Sequence, residues 1–238
     1  MSVLGLVAVV LVVVPPLSTS ARRYDWAEAL QFMVLALVAP GLVVAGAPWQ
    51  VLGLGPAVEK LAAARQRRHE RARTVAVAVP ALACMVGWRT PAAVNALRAG
   101  GWLPALEAVS LGISGAALWL ECISSGALVP RGPRPQRIAV AAVSMWTIWV
   151  LAYLLAMSGA GWYRSYLHVP GHGISLAIDQ QAASGLMWAI ATACFAPLIF
   201  WHLVQWLHGD EDADHELRRV VREERRRALA PARPADRP

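Results

Sequence analysis

Apolar residues fall into long runs separated by short polar or basic stretches, without the strict alternation of half-buried strands. Six runs stand out, at about 3–19, 27–48, 74–90, 102–128, 138–158 and 180–207. A helix of about 20 apolar residues crosses a ~30 Å hydrocarbon core, and most of these runs reach or approach that length. The first run ends at Pro15-Pro16 and carries no basic residues ahead of it. It therefore reads as a retained span, not a cleaved signal peptide. The pattern predicts an all-α, polytopic transmembrane helical bundle of about six spans over residues 1–208. A charged tail follows at 209–238, with a short surface helix at 217–228 and disorder beyond Pro231.

Polar residues interrupt these runs at few places. Glu28 and Gln31 open the second run, one helical turn apart on one face. Glu107 and Glu121 lie in the fourth. Asp179, Gln180 and Gln181 stand at the mouth of the sixth, with Asp179 in the first turn, where unpaired N–H groups stabilise a carboxylate. Pro40-Gly41 breaks the second run and Pro80 the third, as membrane helices tolerate when neighbours cover the freed backbone.

Charge then orients the bundle. With both termini in the cytoplasm, 17 of the 22 Lys and Arg lie inside, in the 50–73 loop, the 129–137 loop and the tail. That bias follows the positive-inside rule. The outer side then holds the aromatic 158–178 loop together with Glu28, Gln31, Glu107 and Asp179. A net charge of +7 reports topology and contact with anionic membrane lipids, not nucleic-acid binding.

Composition removes several function classes. Hydrophobic residues make up 57% of the chain, so the membrane takes the place of a large soluble core. Cys84, Cys122 and Cys194 share no metal or redox spacing and read as buried free thiols. There is no Ser-His-Asp set, no HExxH and no phosphate loop, so an enzyme is not expected.

Glu28, Gln31, Glu107, Asp179 and Gln180 are the candidate site, an outer-facing polar pocket. Ionisable groups inside spans face a bundle interior or a water-filled cavity; interfacial caps and interhelical hydrogen bonds are the other reading. Met33 and Met187 are soft-ligand candidates for Cu(I), although methionine in apolar helices usually packs. His168 and His172 could meet at a metal as loop residues, since Pro170-Gly171 keeps them off one helical face.

Three patches carry a family resemblance. Gln31-Phe32-Met33, Val38-Ala39-Pro40 and Gly46-Ala47-Pro48 form the first. Asp179-Gln180-Gln181-Ala182 through Gly185-Leu186-Met187-Trp188 form the second. Trp88 through Pro91, with Leu106-Glu107, form the third. Together they resemble the CtaG-type cytochrome c oxidase assembly factors. The resemblance implies a multi-pass protein of a bacterial plasma membrane that helps mature a heme-copper oxidase, with oxidase subunits as partners and copper as the delivered metal. Where that family has histidines, this chain has Glu28 and Phe32, Arg89 after Trp88, and Pro104 and Ala108 around Glu107. Imidazole suits copper, and phenylalanine, proline and alanine offer no ligand. Scaffolding without a metal is therefore the expected role. The alternative is a copper or ion transporter using carboxylate, Met and Cys ligands.

Overall fold

The computed structural model describes residues 1–51, 53–66, 71–126, 132–158, 161–167 and 173–229, with 128, 130 and 169. The elements are α1 (Ser2–Val13), α2 (Leu17–Ala21), α3 (Asp25–Gln50), α4 (Gly55–Gln66), α5 (Arg71–Trp88), α6 (Pro91–Arg98), α7 (Leu103–Cys122), α8 (Arg134–Met157) and α9 (Leu176–Leu229). An isolated bridge between Ser125 and Leu128 is the sole β pairing among the described residues.

The chain is an all-helical bundle of membrane-type helices, as the hydropathy pattern predicts. Among the described residues, α3, α7, α8 and the Leu176–Gly209 part of α9 are long and apolar enough to cross a bilayer. Thr74–Trp88 and Pro91–Arg98 meet at a 60° bend and make a fifth span if they cross as one. The expected sixth span, at 3–19, does not form as a single helix. Its helical part, α1, has 12 residues, about 18 Å at 1.5 Å per residue. Pro15 and Pro16 supply no N–H to continue it, and the chain restarts as α2.

Other bounds shift by similar local causes. α7 ends at Cys122, where Ile123 leaves helical geometry (φ −125°, ψ 153°), so 123–126 and 128 are not helix. The stretch between the third and fourth runs contains α6, started by Thr90, whose hydroxyl accepts from the Ala93 N–H, and by Pro91 in the first turn. α9 runs unbroken to Leu229, so the separate surface helix expected at 217–228 is its continuation. Residues 230–238, where disorder was expected, lie outside the described set.

α3 is the central helix. It packs against α1, α2, α7 and α9, while α8 lies along α9. Its middle, Val34–Val38, is π-helical and leads into Pro40. Proline removes a donor there and leaves carbonyls without their usual partners. A neighbouring helix adds a bond beside the break: the Trp119 indole N–H donates to the Leu37 carbonyl at 2.9 Å. Gly115 of α7 faces the Ala36 carbonyl and the Pro40 ring, whose Cγ would lie 2.8 Å from an added Cβ. Small residues let the two backbones approach, as membrane bundles require. Trp119 then stacks on Phe195 of α9, with centroids 5.5 Å apart. Phe32, Met33, Leu37, Leu111, Leu118, Ile148, Met187 and Phe195 are almost fully buried around this seam.

The outside is apolar too. Trp146, Trp188, Phe200 and Trp201 are each half or more exposed. In water such a surface would aggregate; in a bilayer it is the surface lipid wets.

Candidate functional site

The candidate residues gather at the end of the bundle where α3, α7 and α9 begin and α5 bends into α6. Asp25 and Glu28 lie three apart and so share a face of α3. The α5–α6 bend delivers Arg89 to that face. Its guanidinium pairs with Glu28 through Nη1 and stands 3.5 Å from Asp25 Oδ1 through Nη2. The latter is an ion pair too long to be a good hydrogen bond. Arg89 is 3% exposed. Its guanidinium carbon lies 5.4 Å from the centre of the Phe32 ring and 5.2 Å from that of Tyr163, within cation–π range of both.

Asp179 serves a different helix from its own. Its two carboxylate oxygens accept the backbone N–H groups of Asp25 (2.8 Å) and Trp26 (3.0 Å). These are orphan donors of the α3 N-terminus, so Asp179 caps α3 from 154 residues away. The carboxylate was expected in the first turn of α9, and it is there. Its oxygens satisfy the neighbouring helix.

Gln180, next along, donates to the Leu155 carbonyl and to the Ser158 hydroxyl (2.8 Å), tying α9 to the end of α8. Glu107, on α7, is 8% exposed, and its Oε1 has no hydrogen-bond partner among the described residues. It lies within electrostatic range of Glu28 and Arg89. Gln31 is half-buried one turn along α3, and no hydrogen bond among the described residues joins it to this group. The structure thus brings Glu28, Glu107 and Asp179 together, sets Gln180 beside them, and leaves Gln31 outside the contacts.

The following loop closes over the cluster. Tyr163 donates its hydroxyl proton to the Arg89 carbonyl at 3.1 Å, and Tyr166 donates to the Ala21 carbonyl at 3.0 Å. Arg98 stacks on Tyr166 at 4.4 Å from the ring centre. The Ser165 N–H donates to Asn95 Oδ1 at 2.9 Å. Burial pushes both phenols above the ordinary tyrosine range, and Arg89 beside Tyr163 pulls only partly against it. The space left is small. A cavity of about 10 Å³ touches Asp25, Tyr163, Tyr166, Asp179 and Gln180. Another of about 20 Å³ lies between Arg89, Tyr163 and Met187.

Sequence reasoning missed Arg89, Asp25 and Tyr163. Asp25 carried a signal, its i, i+3 spacing to Glu28. Arg89 was marked only as a residue standing where the resembling family has a histidine, and the bend between α5 and α6 turns it inward. Met33 and Met187 are core residues, at 0% and 1% exposure. His168 and His172 lie outside the described residues.

The family model for the cytochrome c oxidase caa3 assembly factor (Caa3_CtaG) matches residues 2–209, from α1 to the end of the span-length part of α9. No curated protein and no solved structure matches the chain.

Proposed function

The chain belongs to the cytochrome c oxidase caa3 assembly factor family, and from that premise we propose that it is a non-catalytic membrane scaffold for building a heme-copper oxidase. The observation that carries this is the family match across the whole bundle. Supporting it, the span-length helices turn apolar faces outward, a surface suited to lipid and to other membrane helices. A bacterial plasma membrane, both termini in the cytoplasm and the polar cluster at the outer end complete the proposal.

The family resemblance raises copper, and the donor set here tests it. The described side chains in contact with the Arg89 guanidinium are two carboxylates and two aromatic rings. Carboxylate is a hard ligand better suited to magnesium or calcium than to copper. Met187, the one thioether lining a cavity with Arg89, has a fixed positive charge as its neighbour, which opposes a second cation. The cluster does not fit copper, and the scaffold acts without a metal there.

What the residues do instead is hold shape. Asp179, Arg89 and Gln180 fix the outer ends of α3, the α5–α6 bend, α8 and α9 against one another. A rigid outer face is what a scaffold presents to a subunit being assembled. The test is a deletion strain complemented with the wild-type gene. Assembled oxidase, read by its heme absorbance in isolated membranes, should fall on deletion and return on complementation. Full oxidase levels in the deletion strain would end this proposal.

A further inference from the structure

We infer that Arg89 is the resident cation of the outer carboxylate cluster, a side chain that supplies the positive charge there in place of any metal ion. This deepens the scaffold proposal, from which it takes only the expectation of copper.

The charges set the requirement. Asp25, Glu28 and Glu107 come from two helices into one buried region, and Asp179 joins them from a third. Asp179 is satisfied by the α3 N-terminus. In a low-dielectric setting the other three must be neutralised by protons or balanced by a cation, and Arg89, paired with Glu28 and Asp25, is the cation the structure supplies. A metal ion would meet that need only while bound. A guanidinium meets it permanently, because arginine keeps its charge in proteins. Its planar fork reaches Glu28 and Asp25 at once, and its faces lie against Phe32 and Tyr163.

The space left agrees. The cavities bordering the cluster, about 10 and 20 Å³, are of the order of one water each. The unpaired atoms are complementary: Nε and Nη2 of Arg89 as donors, Oδ1 of Asp25 and Oε1 of Glu107 as acceptors. Water can bridge such a set, and a second cation would meet Arg89 first. The loop carrying Tyr163 and Tyr166 is bonded over the site through the Arg89 and Ala21 carbonyls.

Two linked measurements on the purified full-length protein in detergent test this. First, the wild type is loaded with Cu(I) under reducing conditions beside E28Q and E107Q. Any copper retained should be the same in all three, and the thermal midpoint of the wild type should not rise. Stoichiometric copper in the wild type that is lost in E28Q or E107Q would overturn the inference. Second, Arg89→Ala should unfold at clearly lower temperature. Millimolar methylguanidinium should restore part of that loss saturably, while sodium chloride at equal ionic strength should not. An R89A protein with the wild-type midpoint would also overturn it. If R89A does not fold, the first measurement decides alone, with R89K as the folded comparison: its point charge should keep the copper result unchanged while lowering the midpoint. Neither measurement reads oxidase assembly, so failure of the scaffold proposal would leave these results standing, and the reverse.

Discussion

The Arg89–carboxylate cluster and the α8–α9 face are opposite solutions to burial in a membrane. In the cluster, charged groups are packed inside: Arg89 is 3% exposed and Asp179 1%, and the cavities beside them hold about 10 and 20 Å³. On the α8–α9 face, aromatic groups point outward around an open groove of about 530 Å³, lined by Trp146, Trp149, Tyr153, Gly185 and Trp188 among others. One region is closed and polar, the other open and apolar. The contrast teaches where specificity and tolerance should lie. Arg89, Asp179, Gln180 and Tyr163 have named partners, so a change there strands a buried group. The outward aromatics are wetted by whatever apolar medium surrounds them.

Substitutions can break that contrast, and the largest effect should come from Arg89→Ala. Removing one partner of a buried ion pair costs about 3–5 kcal/mol, so denaturant or thermal unfolding in detergent should show a loss of that order. A loss below ~1 kcal/mol would mean the cluster is wetter than its burial indicates. Next is Asp179→Ala, which removes the cap on α3. Lost caps cost about 0.5–2 kcal/mol, and hydrogen exchange at Asp25 and Trp26 should speed up while exchange in α8 stays as it was. Tyr163→Phe should cost about 1 kcal/mol, the net worth of one hydrogen bond. The smallest effect should be at Phe200→Ala, 68% exposed on the outward side of α9, within about 0.5 kcal/mol, as for substitutions away from packed or paired sites. A large loss there would erase the distinction between the two regions.

A pH prediction sharpens the same contrast. Tyr163 and Tyr166 have phenols raised by burial, so the folded protein favours their protonated forms. Their contribution to stability is whole below the ordinary tyrosine value of about 10. It is lost as pH climbs above that, because the unfolded chain ionises first. Unfolding midpoints should therefore fall above pH ~10, and Y163F/Y166F should flatten that fall.

Most of the helical frame was legible because hydropathy period and length are local. The runs at 27–48 and 180–207 lie within α3 and α9, and the run at 138–158 follows α8 to its last residue, Met157. The first run is divided at Pro15-Pro16, where the missing N–H groups stop α1. The site was legible in part. Glu28, Glu107 and Asp179 stood out as charges in apolar surroundings, a cost that demands partners. The partners were not legible, since Asp179 meets Asp25 across 154 residues and no periodicity encodes such a pairing. The pairing of Arg89 was hidden for a related reason: it is the bend between α5 and α6 that turns it inward.

The most direct test of the account is a double-mutant cycle between Arg89 and Glu28. Unfolding free energies would be measured for R89A, E28Q and the double variant in one detergent. If the cluster is closed around its own cation, the double variant should be much less damaged than the sum of the singles, with a coupling of about 1–3 kcal/mol. Additive losses would show that Arg89 and Glu28 do not form the cluster's central charge pair and would contradict the account.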